Sequence, residues 1–252
     1  MTKHIIAAIF DLDDTLLDNR VEGGTIHELS RYQAIIDSAK QRNIKQLLTT
    51  THQENIEAYA TAKENSVVGA VWNLMYKKGL VGSEDIDYNN ELLHAIATQK
   101  HTLHAAVLRK EGKPVEGAVK FIEYLSANGL TRLAIASSAI RRDIDIFLSE
   151  ITHLKKYFPD KQIISIESIT PGCAKPHPEA FLKAFASLGL DELQKPDVLV
   201  VEDDPRGIMA AKRAGLYAAG ITTRINRAKL QNAGADIVVD TYSELRDRIA
   251  VL

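Results

Sequence analysis

The chain has 252 residues, of which 45% are hydrophobic and 25% charged, with 31 Lys and Arg against 33 Asp and Glu for a formal charge of −2. At roughly 150 residues per domain this makes one large domain or two unequal ones, and the ordinary globular composition excludes disordered, collagen-like and fibrous chains. The near-balanced charge shows no basic stripe of the kind a nucleic-acid binder carries, so nucleic acid is not an expected partner.

Residues 5–10 form the first apolar run. It is far shorter than the roughly 18 residues of a membrane helix and runs into Asp11, Asp13 and Asp14, unlike a signal peptide. A soluble, cytoplasmic protein with no membrane partner is therefore expected. Similar runs rich in Ile, Val and Ala recur at 133–136, 163–166, 198–201, 217–221 and 237–239. Their shortness, β-branching and lack of polar alternation predict strands buried on both faces of a parallel sheet.

After the first strand this rhythm breaks. Residues 25–42, 53–65, 67–77 and 89–110 are predicted helices, with Leu92, Leu93, Ile96, Leu103 and Val107 at helical spacing in the last. Residues 19–112 thus read as a helical insert, with Glu22-Gly23-Gly24 and Gly112-Lys113-Pro114 as hinges. Beyond it, Val115, Val119, Ile122 and Leu125 form an apolar stripe closed by Asn128-Gly129. Ala180, Phe181, Ala184, Phe185 and Leu188 form another closed by Gly189. Strand and helix in alternation predict an α/β fold with a doubly wound, Rossmann-like parallel sheet, built from residues 1–18 and 113–252.

Ligands of such sheets bind beyond the carboxyl ends of the strands, and three of those ends are polar. The first continues into Asp11-Leu12-Asp13-Asp14-Thr15, the second into Ser137-Ser138, and the 198–201 strand into Glu202-Asp203-Asp204. A fourth segment, Cys173-Ala174-Lys175-Pro176-His177-Pro178, follows the 163–166 strand. If the extended backbone persists past the first strand, Asp11 and Asp13 point to the same side. Adding Glu202 and Asp203 would gather four carboxylates, whose repulsion needs a cation or protonation to relieve it. All-oxygen ligation suits Mg²⁺ brought in with phosphate.

These four segments, in this order, resemble the motifs of the haloacid dehalogenase-like (HAD) superfamily. The resemblance covers residues 5–18 and 113–240 and includes Ala214-Gly215 after the last motif. Residues 19–112 look like the small helical cap of subclass I, seen in phosphoglycolate phosphatase-like and β-phosphoglucomutase-like members, expected to close over the core on the two hinges. The resemblance implies a Mg²⁺-dependent phosphatase acting on a small phosphorylated metabolite, as a monomer or weak homodimer. By the same resemblance Asp11 is the nucleophile that becomes an aspartyl-phosphate, and Asp13 is the general acid and then base, lending a backbone carbonyl to the metal. Ser137, the Ser138 N–H and Lys175 hold the phosphoryl oxygens. Asp203 is the expected metal ligand beside Asp11 and Asp13, with Glu202 a direct or outer partner, and Thr15 braces the loop. Asp14 stands where many relatives have glycine, and Ser138-Ala139-Ile140-Arg141 lacks the more usual proline.

Plainer roles compete at each position. Ser137-Ser138 can cap a helix beginning near Arg141, and Lys175 can be a solvated loop charge. His94, His101 and His104 fall on one side of a predicted helix, yet such histidines are usually surface or satisfied polar residues, so no metal site is assigned there. Cys173, the sole cysteine, excludes an intrachain disulfide and reads as a small buried residue rather than a reactive thiol. A β-phosphoglucomutase-like sugar phosphomutase is the alternative function, although its sugar-holding cap segment has no counterpart in Asn43-Ile44-Lys45-Gln46-Leu47-Leu48-Thr49. A non-catalytic phosphate-binding regulator would have no need of Asp13. Haloacid dehalogenation lacks the pairing of Asp11 with Asp13.

Overall fold

A computed structural model describes residues 2–64 and 66–252. The chain folds as two compact units, Met1–Asp18 with Gly112–Leu252, and Asn19–Glu111.

The first unit is built on a six-stranded sheet of β1 (Ala7–Phe10), β2 (Leu133–Ala136), β3 (Ile163–Ile164), β4 (Val198–Glu202), β5 (Tyr217–Ile221) and β6 (Ile237–Val239). Every neighbouring pair is parallel, in the order β3-β2-β1-β4-β5-β6. The chain steps outward from β1 to β3, then returns to the other side of β1 and steps outward again. Strand order therefore reverses between β1 and β4, and the carboxyl ends of these two strands flank the crevice where such sheets bind ligands. All residues of β1, β2 and β4 are buried, which is why the sequence runs apolar without alternation. Phe10 meets Phe121 and Phe158 edge to face at 6.2 and 6.3 Å, and Phe181, Ala184 and Phe185 of the helix Glu179–Ser187 join the core around Ile9 and Val200.

Several boundaries differ from the sequence reading. The 5–10 run divides at Ile6, whose N–H donates to the Asp197 carbonyl (3.0 Å). Lys3–Ile5 then pairs with a carboxyl-terminal strand, Ile249–Val251, that the sequence did not announce. The 163–166 run keeps only Ile163 and Ile164 in the sheet, because Ile166–Ser168 turns into a short 3₁₀ segment. Val115 lies before its helix, Ala118–Ala127, which starts after Gly117 in a left-handed conformation (φ 82°).

The second unit contains the helices Ile26–Arg42, Lys45–Leu48, His52–Ala60, Val67–Lys77 and Glu91–Glu111. Thr25 with Glu28, and Thr51 with Glu54, form reciprocal capping boxes at two of the amino termini, satisfying backbone donors that helix starts leave open. The predicted 53–65 helix stops at Ala60, with Thr61 closing it; residue 65 lies outside the described residues. Ile35, Val71, Trp72, Met75, Leu93 and Ile96 form this unit's own core. Glu22-Gly23-Gly24, read as a hinge, folds as a tight hairpin in which Arg20–Val21 pairs with Gly24–Thr25, with Gly23 left-handed at φ 85°. Lys113–Pro114 pairs antiparallel with Leu17–Asp18. No helix among the described residues is long and apolar enough to cross a membrane.

Candidate active site

The register of the sheet sets the site. Phe10 is level with Val201 on β4 and with Ile135 on β2, so Asp11 is level with Glu202 and Ser137 is one step further along. The Asp11 N–H extends the ladder by donating to the Val201 carbonyl (3.1 Å). Lys175 enters from the loop after β3. Its ammonium donates to Asp11 Oδ1 at 2.5 Å and to Glu202 Oε1 at 2.6 Å and lies 4.8 Å from the centre of the Phe181 ring.

Glu202 is fixed from every side. Its Oε2 accepts the N–H groups of Asp203 and Asp204, both at 3.1 Å, while Oε1 takes Lys175. Gly207, one turn into the helix Pro205–Arg213, leaves the space its carboxylate fills: a Cβ there would come within 1.8 Å of Oε1. Asp203 Oδ1 accepts the Thr15 hydroxyl at 3.3 Å. Thr15 is itself held through its carbonyl, which accepts the Tyr242 hydroxyl at 2.9 Å. The sequence reading had Thr15 as the brace of its loop; the structure extends that brace to Asp203 and adds Tyr242, which it had not singled out. A tyrosine in the last helix carries no local signal of such a role, because the partner lies 227 residues away.

Asp11, Glu202 and Asp203 are buried, and one oxygen from each lies within 4.8 Å of the others. Burial pushes the Asp11 carboxyl well above its usual range, and Glu202 and Asp13 push it further against the downward pull of Lys175. Asp203 is likewise raised, by burial and then by Glu202 and Asp11. Burial disfavours the Lys175 ammonium, but the two carboxylates facing it more than offset this and raise its pKa. Three buried carboxylates against one ammonium leave an excess of negative charge that a divalent cation relieves. The donors are all oxygen, and the group fits a hard ion such as Mg²⁺.

Asp13 is half-buried and bridges to Leu17 just before the turn that follows β1, where the Leu12 carbonyl accepts the N–H groups of Leu16 and Leu17, each at 2.8 Å. The turn itself spans residues 14–16, so the backbone reverses only after Asp13. Asp14 sits at φ 56°, a left-handed position that glycine adopts without cost and Asp tolerates, which explains why glycine can stand there. Its added charge faces Arg224 at 3.5 Å, and its carbonyl accepts the Thr223 hydroxyl.

Ser137 is buried at the end of β2, where its N–H donates to the Ile164 carbonyl (3.0 Å) and its Oγ accepts the Ala139 N–H (3.0 Å). Ser138 is exposed. Neither caps the helix Arg141–Asp145, whose cap position, Ile140, makes no side-chain bond. Nor is Lys175 a solvated loop charge. His94, His101 and His104 do not converge on a metal: His94 is exposed beside the Tyr88 carbonyl, while His104 is buried with its ring 4.4 Å from that of His27. Among the described residues the groups able to hold a metal are Asp11 with Glu202 and Asp203, and Cys173 with His177 and Glu179.

Comparison with known proteins identifies the family. The sequence model described as "haloacid dehalogenase-like hydrolase" matches residues 5–215. Glycerol-1-phosphate phosphohydrolase 2 of Saccharomyces cerevisiae is 35% identical over 136 residues, which are 52% of this chain and 52% of that enzyme, so the match spans about half the length of this relative. Beta-phosphoglucomutase of Mycobacterium bovis is 25% identical over 259 aligned positions, covering 97% of this chain and 93% of the relative. A putative beta-phosphoglucomutase from Thermotoga maritima superposes with a TM-score of 0.69 at 22% identity, over 96% of this chain and 99% of that one, a likeness of fold. With the family match running from β1 through the helix after β4, the chain belongs to the haloacid dehalogenase-like hydrolases.

Proposed function

We propose that this chain is a Mg²⁺-dependent phosphatase of small phosphorylated metabolites, acting in the cytoplasm through an aspartyl-phosphate on Asp11, with residues 19–112 as its cap domain. The observation that carries the reading is the contact of one buried ammonium, Lys175, with both Asp11 and Glu202 beside a third buried carboxylate, Asp203. Solvated loop chemistry does not bury such a group, because uncompensated charge costs several kcal/mol per ion, on the order of the whole stability of a domain.

In this reading an Asp11 oxygen attacks phosphorus while Asp13 protonates the departing alcohol oxygen. Asp13, now ionised, takes a proton from water as that water attacks the phosphoryl group, which frees Asp11 and restores Asp13. Lys175 keeps Asp11 oriented and shares its charge with the phosphoryl oxygens, helped by the Ser137 hydroxyl and the Ser138 N–H. Asp11 and Asp203 hold the metal, with the Asp13 carbonyl, and Glu202 positions Lys175 and the turn bearing Asp203. Mg²⁺, when bound, supplies positive charge that offsets both the carboxylates and the phosphate dianion.

Phosphate release from a panel of sugar, nucleotide and small-acid monoesters, with and without Mg²⁺, tests this. Asp11→Asn is expected to lower kcat by at least about 10³-fold with the fold retained; turnover that survives the substitution removes the reading. The end-to-end similarity to a beta-phosphoglucomutase favours a sugar phosphomutase as the second reading. Conversion of a sugar 1-phosphate to its 6-phosphate without net phosphate release would place it first.

A further inference from the structure

The loop between β3 and the helix Glu179–Ser187 gathers a second set of metal-ligating side chains. Cys173, His177 and Glu179 each offer a donor atom, and these three lie within 4.8 Å of one another. The backbone folds the segment back on itself: the Cys173 N–H donates to the Thr170 carbonyl and the His177 N–H to the Ala174 carbonyl, both at 2.9 Å. From the first turn of the helix, Glu179 Oε1 accepts the N–H (3.0 Å) and hydroxyl (2.9 Å) of Thr170 and meets Lys183 at 2.7 Å. Lys183 and Thr170 bring the Glu179 carboxyl pKa down to about 2, so an anionic oxygen is fixed at this point. His177 is exposed, and its Nδ1 accepts the Glu179 N–H at a long 3.3 Å. Cys173 is half-buried against the core. Burial and the Glu179 carboxylate hold its thiol above the usual range, so it is no spontaneous nucleophile.

We propose that Cys173, His177 and Glu179 form a zinc site distinct from the carboxylate group at the ends of β1 and β4. Sulfur, nitrogen and oxygen together are the borderline-soft set that suits Zn²⁺, whereas Mg²⁺ requires oxygen. Tetrahedral zinc with these bond lengths places one sulfur, one nitrogen and one oxygen roughly 3.3–3.6 Å apart, so donors already within 4.8 Å need to draw in by at most about 1.5 Å. Rotation of the exposed His177 ring is one way to achieve this. Water takes the fourth position on the solvent side. Binding replaces the Cys173 S–H bond by a Zn–S bond, the proton passes to water, and no electron is transferred. Cys173 and His177 stand two residues on either side of Lys175. An occupied site therefore ties a chelate across the segment that carries the ammonium facing Asp11.

The test uses Co²⁺ as a spectroscopic stand-in, added to the full chain in saturating Mg²⁺ so that hard-ion binding elsewhere is satisfied. One equivalent is expected to produce a thiolate-to-cobalt charge-transfer band with the strong visible absorption of four-coordinate cobalt, and Zn²⁺ should bleach both. Cys173→Ser should abolish the charge-transfer band, and His177→Ala should weaken binding by at least about tenfold. Zn²⁺ should also protect Cys173 from alkylation by iodoacetamide, where Mg²⁺ should not. Absence of the charge-transfer band in the unaltered protein overturns the site, as does unchanged affinity in His177→Ala. That variant changes an exposed side chain, so the result stands even if Cys173→Ser fails to fold. None of these readouts involves turnover, so the zinc site and the phosphatase reading fail or stand separately.

Discussion

Glu202 shows how much of the site rests on one side chain with no space to move. Its carboxylate joins Lys175 to the N–H groups of Asp203 and Asp204 and occupies the volume that Gly207 leaves open. The far end of a surface glutamate would swing aside for a new methyl group at little cost. This one cannot do so without giving up a buried ion pair and two charge-assisted hydrogen bonds. Gly207→Ala is therefore expected to destabilise the protein by about 3 kcal/mol or more and to depress kcat strongly, measured by urea unfolding and initial rates. A variant with unchanged unfolding midpoint would show that Glu202 has an alternative position. The constraint at Gly207 comes from contact rather than from dihedral preference, which is why it leaves no mark in the glycine's local sequence.

At the scale of elements, the helices that flank the sheet also brace the site. Gly117 adopts φ 82° at the start of Ala118–Ala127, and a Cβ there would lie 3.2 Å from Tyr242 Cβ. Tyr242 in turn holds the Thr15 carbonyl, and the Thr15 hydroxyl meets Asp203. Gly117→Ala combines a left-handed residue with a tight contact and is expected to cost about 1–2 kcal/mol, lowering Tm by roughly 2–8 °C. A smaller loss of kcat/KM should accompany it if the Tyr242–Thr15 brace transmits the displacement. Equal thermal stability of the two proteins in matched melts would contradict the strain assigned to this position. The end of β2 illustrates the opposite case, a polar pair whose local reading as a helix cap gave way to Ser137 bonding with Ile164 and Ala139.

Across the whole molecule, the raised carboxyl groups of Asp11 and Asp203 make stability depend on pH and metal together. A carboxyl whose folded pKa lies above its unfolded value binds more protons in the native state. Its contribution is therefore complete below the unfolded pKa and is lost as pH rises through the folded one. In chelator, these two groups weaken the fold progressively above about pH 4, while Mg²⁺ offsets their charge. The Tm increment from Mg²⁺ should accordingly be larger at pH 8 than at pH 5 in differential scanning fluorimetry. An increment that is flat or falls with pH would show that these carboxylates are not where the ion acts.

The polar strand ends were legible in the sequence because buried parallel strands are continuous apolar runs and whatever follows them lies at one edge of the sheet. The helical insert was legible through its 3.6-residue periodicity, and Lys175 through its motif context. The division at Ile6, the Ile249–Val251 strand and the hairpin at Gly23 were not, since each depends on a partner distant in sequence or on a backbone angle that composition does not encode. Sequence by itself thus determined the order of the elements and the residue types at their ends. Tertiary structure alone decided that Lys175 bridges Asp11 and Glu202 and that Tyr242 reaches Thr15. These are distances between residues more than 20 and up to 227 positions apart, and periodicity carries no information about where such residues meet.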